Sequence, residues 1–442
     1  MEVSPLRVME FYAGVGGTHY SFLASGINFE IVASIDINTN TNRVYKHNFP
    51  STPHLNRNIC GMTAAEMDSL KPDMFTMSPP CQPFTRQGHR RDNFDRRTDS
   101  FFHLMQLLTE MHHPPTYLFV ENVQGFELSN TRENFVAILK RLGYKFQEFL
   151  LSPMQFGIPN SRLRFYLLAK RSPFSLTFPK QPCQDVGELI TFLKRSADNP
   201  GTLNGQDTQG AAQVVSRDVF SDSNFSPSHE KQETPVQSSV EPETDSLEGT
   251  LSLQGQETSS LGKNSATPTV LQPQAESSGA CSSSQPIMGT TATVIRPLSC
   301  YLTPLSDAEL EMYLVPEKTL MKYATGFDIV QPSSNHSCCF TRAYGHYAVG
   351  TGSILQHAVS EDLDKAFQEF LEHQKEGEGG KCLRSLQALK LRYFSPREVA
   401  NLMCFPPGFA FPPDLTLRQR YKVIGNSLNV HVVSVLLQYL FS

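Results

Sequence analysis

The chain has 442 residues, with 38 Lys+Arg against 43 Asp+Glu, a net charge of −5 and nine cysteines. That length has room for two domains or one large domain with an insert, and the odd, scattered cysteines without a C-x-x-C pair exclude a disulfide framework and a structural zinc site. No charged leader runs into an apolar segment, and no apolar run reads as a bilayer span, so the expectation is a soluble protein of cytosol or nucleus, with no membrane partner, no metal and no implied oligomer.

The first 178 residues alternate strand-like and helix-like segments. Leu6–Tyr12 is apolar and extended, and Gly14-Val15-Gly16-Gly17 then turns the chain into a helix. Glycines at such a turn let the backbone approach a ligand closely. The motif is not a full G-x-G-x-x-G, and many such turns only connect elements. Glu30–Ile35 forms a second strand, and Asp36 ends it, nineteen positions beyond Gly17. A carboxylate there commonly accepts the ribose hydroxyls of a nucleoside cofactor, although a helix N-cap is the ordinary alternative. Together the two features favour a nucleoside ligand.

Asp73–Met77 reads as a short buried strand that leads into Ser78-Pro79-Pro80-Cys81-Gln82-Pro83. Prolines on both sides keep Cys81 out of a helix and push the residues before them to extended geometry. The thiol is therefore expected on a stiff loop at the C-terminal end of a strand, where open α/β sheets place reacting groups. A buried, inert cysteine is the competing reading. The following stretch, Arg86–Arg97, carries five arginines and His89 against Asp92 and Asp95, which suits a phosphate backbone or a solvated loop.

Thr116–Val120 is the next strand, followed by Glu121-Asn122-Val123. A carboxylic acid at a strand tip in a cleft can be held protonated by burial and used as a hydrogen-bond donor, although a Glu after a strand is ordinarily a solvated loop residue. Phe146–Leu151 and Arg164–Ala169 complete the series. Arg162-Leu163-Arg164 opens the last strand, and strand alternation predicts both guanidiniums on one face, suited to a carbonyl, a carboxylate or a structural ion pair. Strands separated by helical patterns predict an α/β fold with a mostly parallel sheet.

Residues 196–295 are rich in Ser, Gln, Thr, Gly and Pro. The span 196–300 holds twelve Asp/Glu and four Lys/Arg, which leaves 34 basic and 31 acidic residues elsewhere. The segment is expected to be disordered and without assigned function, and the remainder is mildly basic. Order is expected to resume near Arg296, with short helices over Asp307–Leu314 and Glu317–Tyr323. Ser395-Pro396-Arg397-Glu398 has a capping-box pattern. The chain closes on Gly425-Asn426-Ser427 and an apolar helix that must pack back on the first sheet.

These residues together resemble the cytosine-5 methyltransferase family, over about 1–178 and 296–442. Phe11-Tyr12-Ala13-Gly14-Val15-Gly16-Gly17 looks like its first cofactor motif and Ser78-Pro79-Pro80-Cys81-Gln82 like its nucleophile motif. Glu121-Asn122-Val123 looks like its acid motif, Arg162 and Arg164 match its paired arginines, and Tyr421 with Gly425-Asn426-Ser427 looks like its closing cofactor motif. Cys339-Phe340-Thr341 closely resembles the signature of the small branch that acts on the anticodon loop of aspartate transfer RNA. At the third cofactor motif, Asn58-Ile59-Cys60 stands where the wider family often has an Asp.

The resemblance implies a Rossmann-like S-adenosylmethionine-dependent methyltransferase sheet with a small target-recognition domain. It implies catalytic domain residues 1–178, a target-recognition region 179–390, and a segment 391–442 that completes the catalytic domain. The methyl donor is expected at Phe11, Gly14, Val15, Gly16, Gly17, Asp36, Ile37, Ile59, Cys60, Ser78, Asn426 and Ser427. Cys81 is the expected nucleophile towards cytosine C6, with Glu121, Arg162 and Arg164 around the base. The expected substrate is tRNA. A DNA cytosine-5 methyltransferase is the alternative, and an RNA-binding scaffold with a vestigial site is the alternative of another class.

Overall fold

The computed structural model describes residues 4–80, 99–171, 294–375 and 379–441. Cys81, the arginine-rich stretch 86–97 and residues 196–293 of the acidic segment lie outside the described residues.

The N-terminal part runs β1 (Leu6–Phe11), α1 (Gly17–Ser25), β2 (Phe29–Asp36), α2 (Thr39–Asn48), β3 (His54–Asn56), α3 (Ala64–Leu70), β4 (Met74–Met77), α4 (Asp99–Glu110), β5 (Tyr117–Val123), α5 (Asn130–Arg141), β6 (Tyr144–Leu151) and β7 (Arg164–Arg171). The strands form one seven-stranded sheet in the order β3-β2-β1-β4-β5-β7-β6. β1 to β5 pair in parallel, whereas β7 lies antiparallel between β5 and β6. The strand order reverses at β1 and β4, so their C-terminal tips bound the crevice where open α/β sheets bind ligands. The tip of β1 carries the glycine turn, and the tip of β4 leads into Ser78-Pro79-Pro80.

Central strands buried on both faces read as unbroken apolar runs. Met74, Phe75 and Met77 of β4 are at most 1% exposed, as are Leu118, Phe119 and Val120 of β5. One face packs on α4 and α5 through Phe101, Leu104, Leu108, Phe135 and Leu139. The other packs on the C-terminal helix.

The second part runs α6 (Asp307–Tyr313), α7 (Glu317–Tyr323), β8 (Ile329–Val330), β9 (Ile354–Gln356), α8 (Leu363–Lys375), α9 (Gly379–Ala388), β10 (Leu391–Arg392), α10 (Pro396–Leu402), α11 (Leu417–Gly425) and α12 (Val430–Phe441). β10, β9 and β8 make a small sheet. Ser395 and Glu398 form the capping box that opens α10. Glu398 also binds Arg392 through two 2.8 Å hydrogen bonds, with side-chain exposures of 0% and 2%.

The helical stretch Leu417–Phe441 is long and apolar enough to cross a membrane, contrary to the expectation that no run approaches that length. An apolar 18-residue window of it is 72% buried in the fold, and Val432, Val433, Leu436, Leu437 and Leu440 share a core cluster with Val8 and Phe119 of the sheet. Burial against both β1 and α1 accounts for its composition.

Candidate active site

The glycine turn closes β1. Gly14 and Gly16 have φ of +58° and +88°, in the left-handed region that costs a side chain strain. A Cβ on Gly16 would stand 2.6 Å from the Phe49 ring, and one on Gly17 would meet Leu428 and the Ser427 hydroxyl at 3.0 Å. The turn is therefore pressed from behind by α2 and by the segment joining α11 to α12. At Gly14 the nearest atom to such a Cβ is the Tyr12 carbonyl at 3.8 Å, so the backbone there faces open space.

Asp36, at the tip of β2, holds this turn. Its carboxylate accepts the Gly14 N–H at 2.9 Å and the Asn38 N–H at 2.8 Å. Burial pushes its pKa up, against these amide bonds. The N-cap of α2 is Asn38, so the capping alternative for Asp36 falls away. The Thr41 side chain and the Ile37 backbone also hydrogen-bond this carboxylate, which fixes its orientation at the tip of β2. Ile37 beside it is 65% exposed, an apolar face in solvent. Asn58 Oδ1 accepts the Cys60 N–H at 3.0 Å, Cys60 is exposed and Ile59 is buried. Ser78 and Ser427 are half-buried, and Asn426 is exposed. Open backbone at Gly14, a carboxylate held at the strand tip and an exposed apolar side chain fit a donor that carries a nucleoside.

Two expected donor residues have their side chains in the core, which leaves only their backbone at the turn. Phe11 is 2% exposed, and its ring packs edge-on to Phe75 at 4.9 Å, inside the core. Val15 is likewise core, 2% exposed. The aromatic side chain that emerges at the strand tip is Tyr12, half-buried, with φ +58° and its hydroxyl 2.9 Å from Ser100 Oγ on α4. Sequence reasoning did not single out Tyr12, which lies just past β1 and two positions before Gly14.

Behind the turn lies a buried polar network. The Tyr45 hydroxyl donates to Glu10 Oε2 and lies 2.9 Å from His19 Nδ1. Burial raises the Glu10 pKa to about 7, against the bonds from Tyr45 and the His19 N–H. α1 begins at Gly17 with no side-chain cap, so Glu10 supplies the acceptor its first turn lacks.

The catalytic side is built on β5 and β7. Glu121 pairs with Arg164 at 3.5 Å, with side-chain exposures of 13% and 16%. Burial raises the Glu121 pKa, and Arg164 and Arg162 oppose that rise. Asn122, 1% exposed, donates from Nδ2 to the Pro79 carbonyl at 3.4 Å. This bond ties the acid's strand tip to the chain two residues before Cys81.

Arg162 lies near Arg164, both guanidiniums reaching Cys339 Sγ, but not for the reason the strand pattern gives. It precedes β7 rather than lying within it, so strand alternation does not apply. The side chain is 3% exposed and donates to the carbonyls of Phe340 (3.2 Å), Gly425 (3.4 Å) and Ser427. Its Nη1 is also 3.4 Å from Cys339 Sγ, and Arg164 Nη2 is 3.8 Å from the same sulfur. Burial pushes the Cys339 thiol up, but the two guanidiniums hold it below its usual value. Arg162 thus joins β7, the Cys339-Phe340-Thr341 segment and the Gly425–Ser427 segment at one point.

The family model of the C-5 cytosine-specific DNA methylases matches residues 6–442. The chain belongs to that family. The methyl donor of the family is S-adenosylmethionine. The chain is 38% identical to a Homo sapiens tRNA (cytosine(38)-C(5))-methyltransferase, across 99% of this chain and 100% of that protein. It is 36% identical to a Dictyostelium discoideum DNA (cytosine-5)-methyltransferase, across 99% of this chain and 94% of that protein. The crystal structure of a Spodoptera frugiperda DNMT2 mutant superposes with a TM-score of 0.66 at 32% identity, over 99% of this chain and 100% of that one. The small sheet and the antiparallel β7 are therefore features of a C-5 cytosine methyltransferase fold. Among the described residues, no group of three or more His, Cys, Asp or Glu side chains is placed to hold a metal ion.

Proposed function

We propose that the protein methylates C5 of cytosine 38 in the anticodon loop of aspartate tRNA, with Cys81 as nucleophile. The observation that carries the site assignment is the buried Glu121–Arg164 pair, tethered through Asn122 to Pro79, two positions before Cys81 in the sequence. The relatives named for tRNA cytosine 38 support the substrate.

Cytosine C5 is a poor nucleophile while the ring is aromatic. Addition of the Cys81 thiolate at C6 makes C5 enamine-like, and after methyl transfer the C5 proton must leave to a base and the Cys81–C6 bond must break to restore the ring. Glu121, whose carboxyl is held above the usual carboxylate range by burial, donates its proton to N3 as charge develops there. Arg164 fixes the orientation of that carboxyl. Arg162 acts through the segments it holds rather than on the base. The Gly14 turn, Asp36 and Ile37 bind S-adenosylmethionine, which supplies an electrophilic methyl group on a sulfonium centre. The base reaches this crevice only out of its stack, and an unpaired loop makes that less costly than a duplex.

The test is incubation with methyl-labelled donor and either tRNA transcript or duplex DNA. Label in tRNA, lost in Cys81→Ala, is the expected result. Label confined to DNA would reverse the substrate in favour of the activity named for the Dictyostelium relative. Undiminished label with Cys81→Ala would remove the nucleophile.

A further inference from the structure

A cavity of about 400 Å³ opens between the turn that follows Cys339-Phe340-Thr341, helix α11 and the start of α2. Its lining includes Arg342, His346, Tyr347, Arg418, Lys422 and Asn40, and no carboxylate. Tyr347 is 63% exposed, and its ring lies 4.7 Å from that of His346. Arg418 Nη2 is 3.2 Å from His346 Nε2, which holds that ring in place.

The cavity wall is rigid. Gly345 sits at φ +73°, and a Cβ there would stand 2.9 Å from the Tyr421 ring of α11. A Cβ on Gly425 would stand 2.3 Å from the Thr341 carbonyl. Both glycines therefore let the turn lie directly on α11, and the buried Tyr344 anchors it through a 2.7 Å hydrogen bond to the Ser353 carbonyl. The exposed aromatic ring is carried on a fixed platform rather than on a loose loop.

We infer that this cavity is a binding site for one unpaired RNA nucleotide other than the target cytosine. The chemistry is specific to a nucleotide rather than to a bare anion. Three cations face a phosphodiester, an exposed tyrosine offers a face on which a base stacks, and the Asn40 amide presents a donor and an acceptor to a base edge. The volume falls within the range of small-ligand pockets, about 300–1,000 Å³. The site rests on the reading that the substrate is RNA. Asn40 lies on the helix that follows Asp36 and Ile37, and the turn springs from the segment clamped by Arg162. The nucleotide would therefore be gripped beside the donor site while the target base enters the crevice.

The test uses an anticodon stem-loop RNA and a panel of the same RNA with one abasic position at a time, read by fluorescence anisotropy. Tyr347→Ala is expected to weaken binding of the intact RNA about tenfold, as for loss of one base–aromatic stack, with Tyr347→Phe near wild type. S-adenosylmethionine affinity, read by calorimetry, stays unchanged. One abasic position outside the target should weaken wild-type binding by a similar factor and leave Tyr347→Ala unaffected. Arg418→Gln and Lys422→Gln should each lower the salt slope by about one. The proposal is overturned if Tyr347→Ala binds RNA as tightly as wild type, or if every abasic loss is the same in both proteins. Wild-type protein that shows the expected abasic pattern yet places no methyl in tRNA would sink the preceding functional reading alone.

Discussion

Replacing Arg162 by Met separates a clamp from a catalytic group. The side chain is 3% exposed, and its guanidinium serves three backbone carbonyls, those of Phe340, Gly425 and Ser427. Each buried acceptor left without a donor costs about 1–3 kcal/mol, which gives roughly 3–9 kcal/mol for three. Part of that is offset, because Arg162 Nε has no partner and the charge itself is buried at a cost. A net loss of about 3 kcal/mol is expected, a large fraction of the 5–15 kcal/mol typical of a domain. Arg164→Met removes the partner of Glu121 but none of these carbonyl bonds, so it should change stability little and turnover strongly. Urea unfolding of both variants, beside single-turnover methylation of tRNA, is the assay. Arg162→Met with wild-type stability and a loss confined to turnover would refute the clamp and return Arg162 to the base.

Gly16→Ala should weaken S-adenosylmethionine binding about tenfold and cost about 1–3 kcal/mol of stability, because φ is +88° and the new methyl meets the Phe49 ring at 2.6 Å. Calorimetry and a thermal melt check both, and an unchanged protein would show that the turn is not pressed from behind. Acidification tests the network behind that turn. Burial lowers His19 and His54 from 6.5 to about 4, so the unfolded chain binds more protons in that window and stability is lost as pH falls through it. Glu10, raised from 4.5 to about 7, has the opposite sign: the folded state keeps its proton, and stability grows as pH falls from 7 to 4.5. Glu10→Gln removes that gain, so the variant should lose stability on acidification more steeply than wild type. Equal pH slopes in urea titrations would contradict the buried placement of Glu10.

Most of the large sheet is legible in the sequence, because central strands announce themselves as apolar runs and the motifs stand at their tips. Glu30–Ile35 and Phe146–Leu151, read as strands from pattern, lie within Phe29–Asp36 and Tyr144–Leu151. β3 escapes, since three residues carry no period. The antiparallel direction of β7 escapes too, because direction depends on the connection between strands rather than on the pattern within one. The site is legible as a set of residue types in order, but not as contacts. Phe11 and Tyr12 are adjacent aromatics, and only the fold shows that β1 ends at the first, in the core, while the second takes a left-handed φ of +58° at the tip.

The sequence by itself determined which reactive groups the chain carries and in what order: a glycine turn, a proline-braced thiol, an acid after a strand and a pair of arginines. Those follow from local rules of backbone geometry and side-chain chemistry. Tertiary structure alone decided that Arg164 faces Glu121 while Arg162 clasps carbonyls more than 170 residues away in the chain. It alone set Tyr347, Arg418 and Asn40 around one cavity. The reason is that hydrogen-bond satisfaction in a packed interior is a property of neighbours in space, which no local pattern encodes.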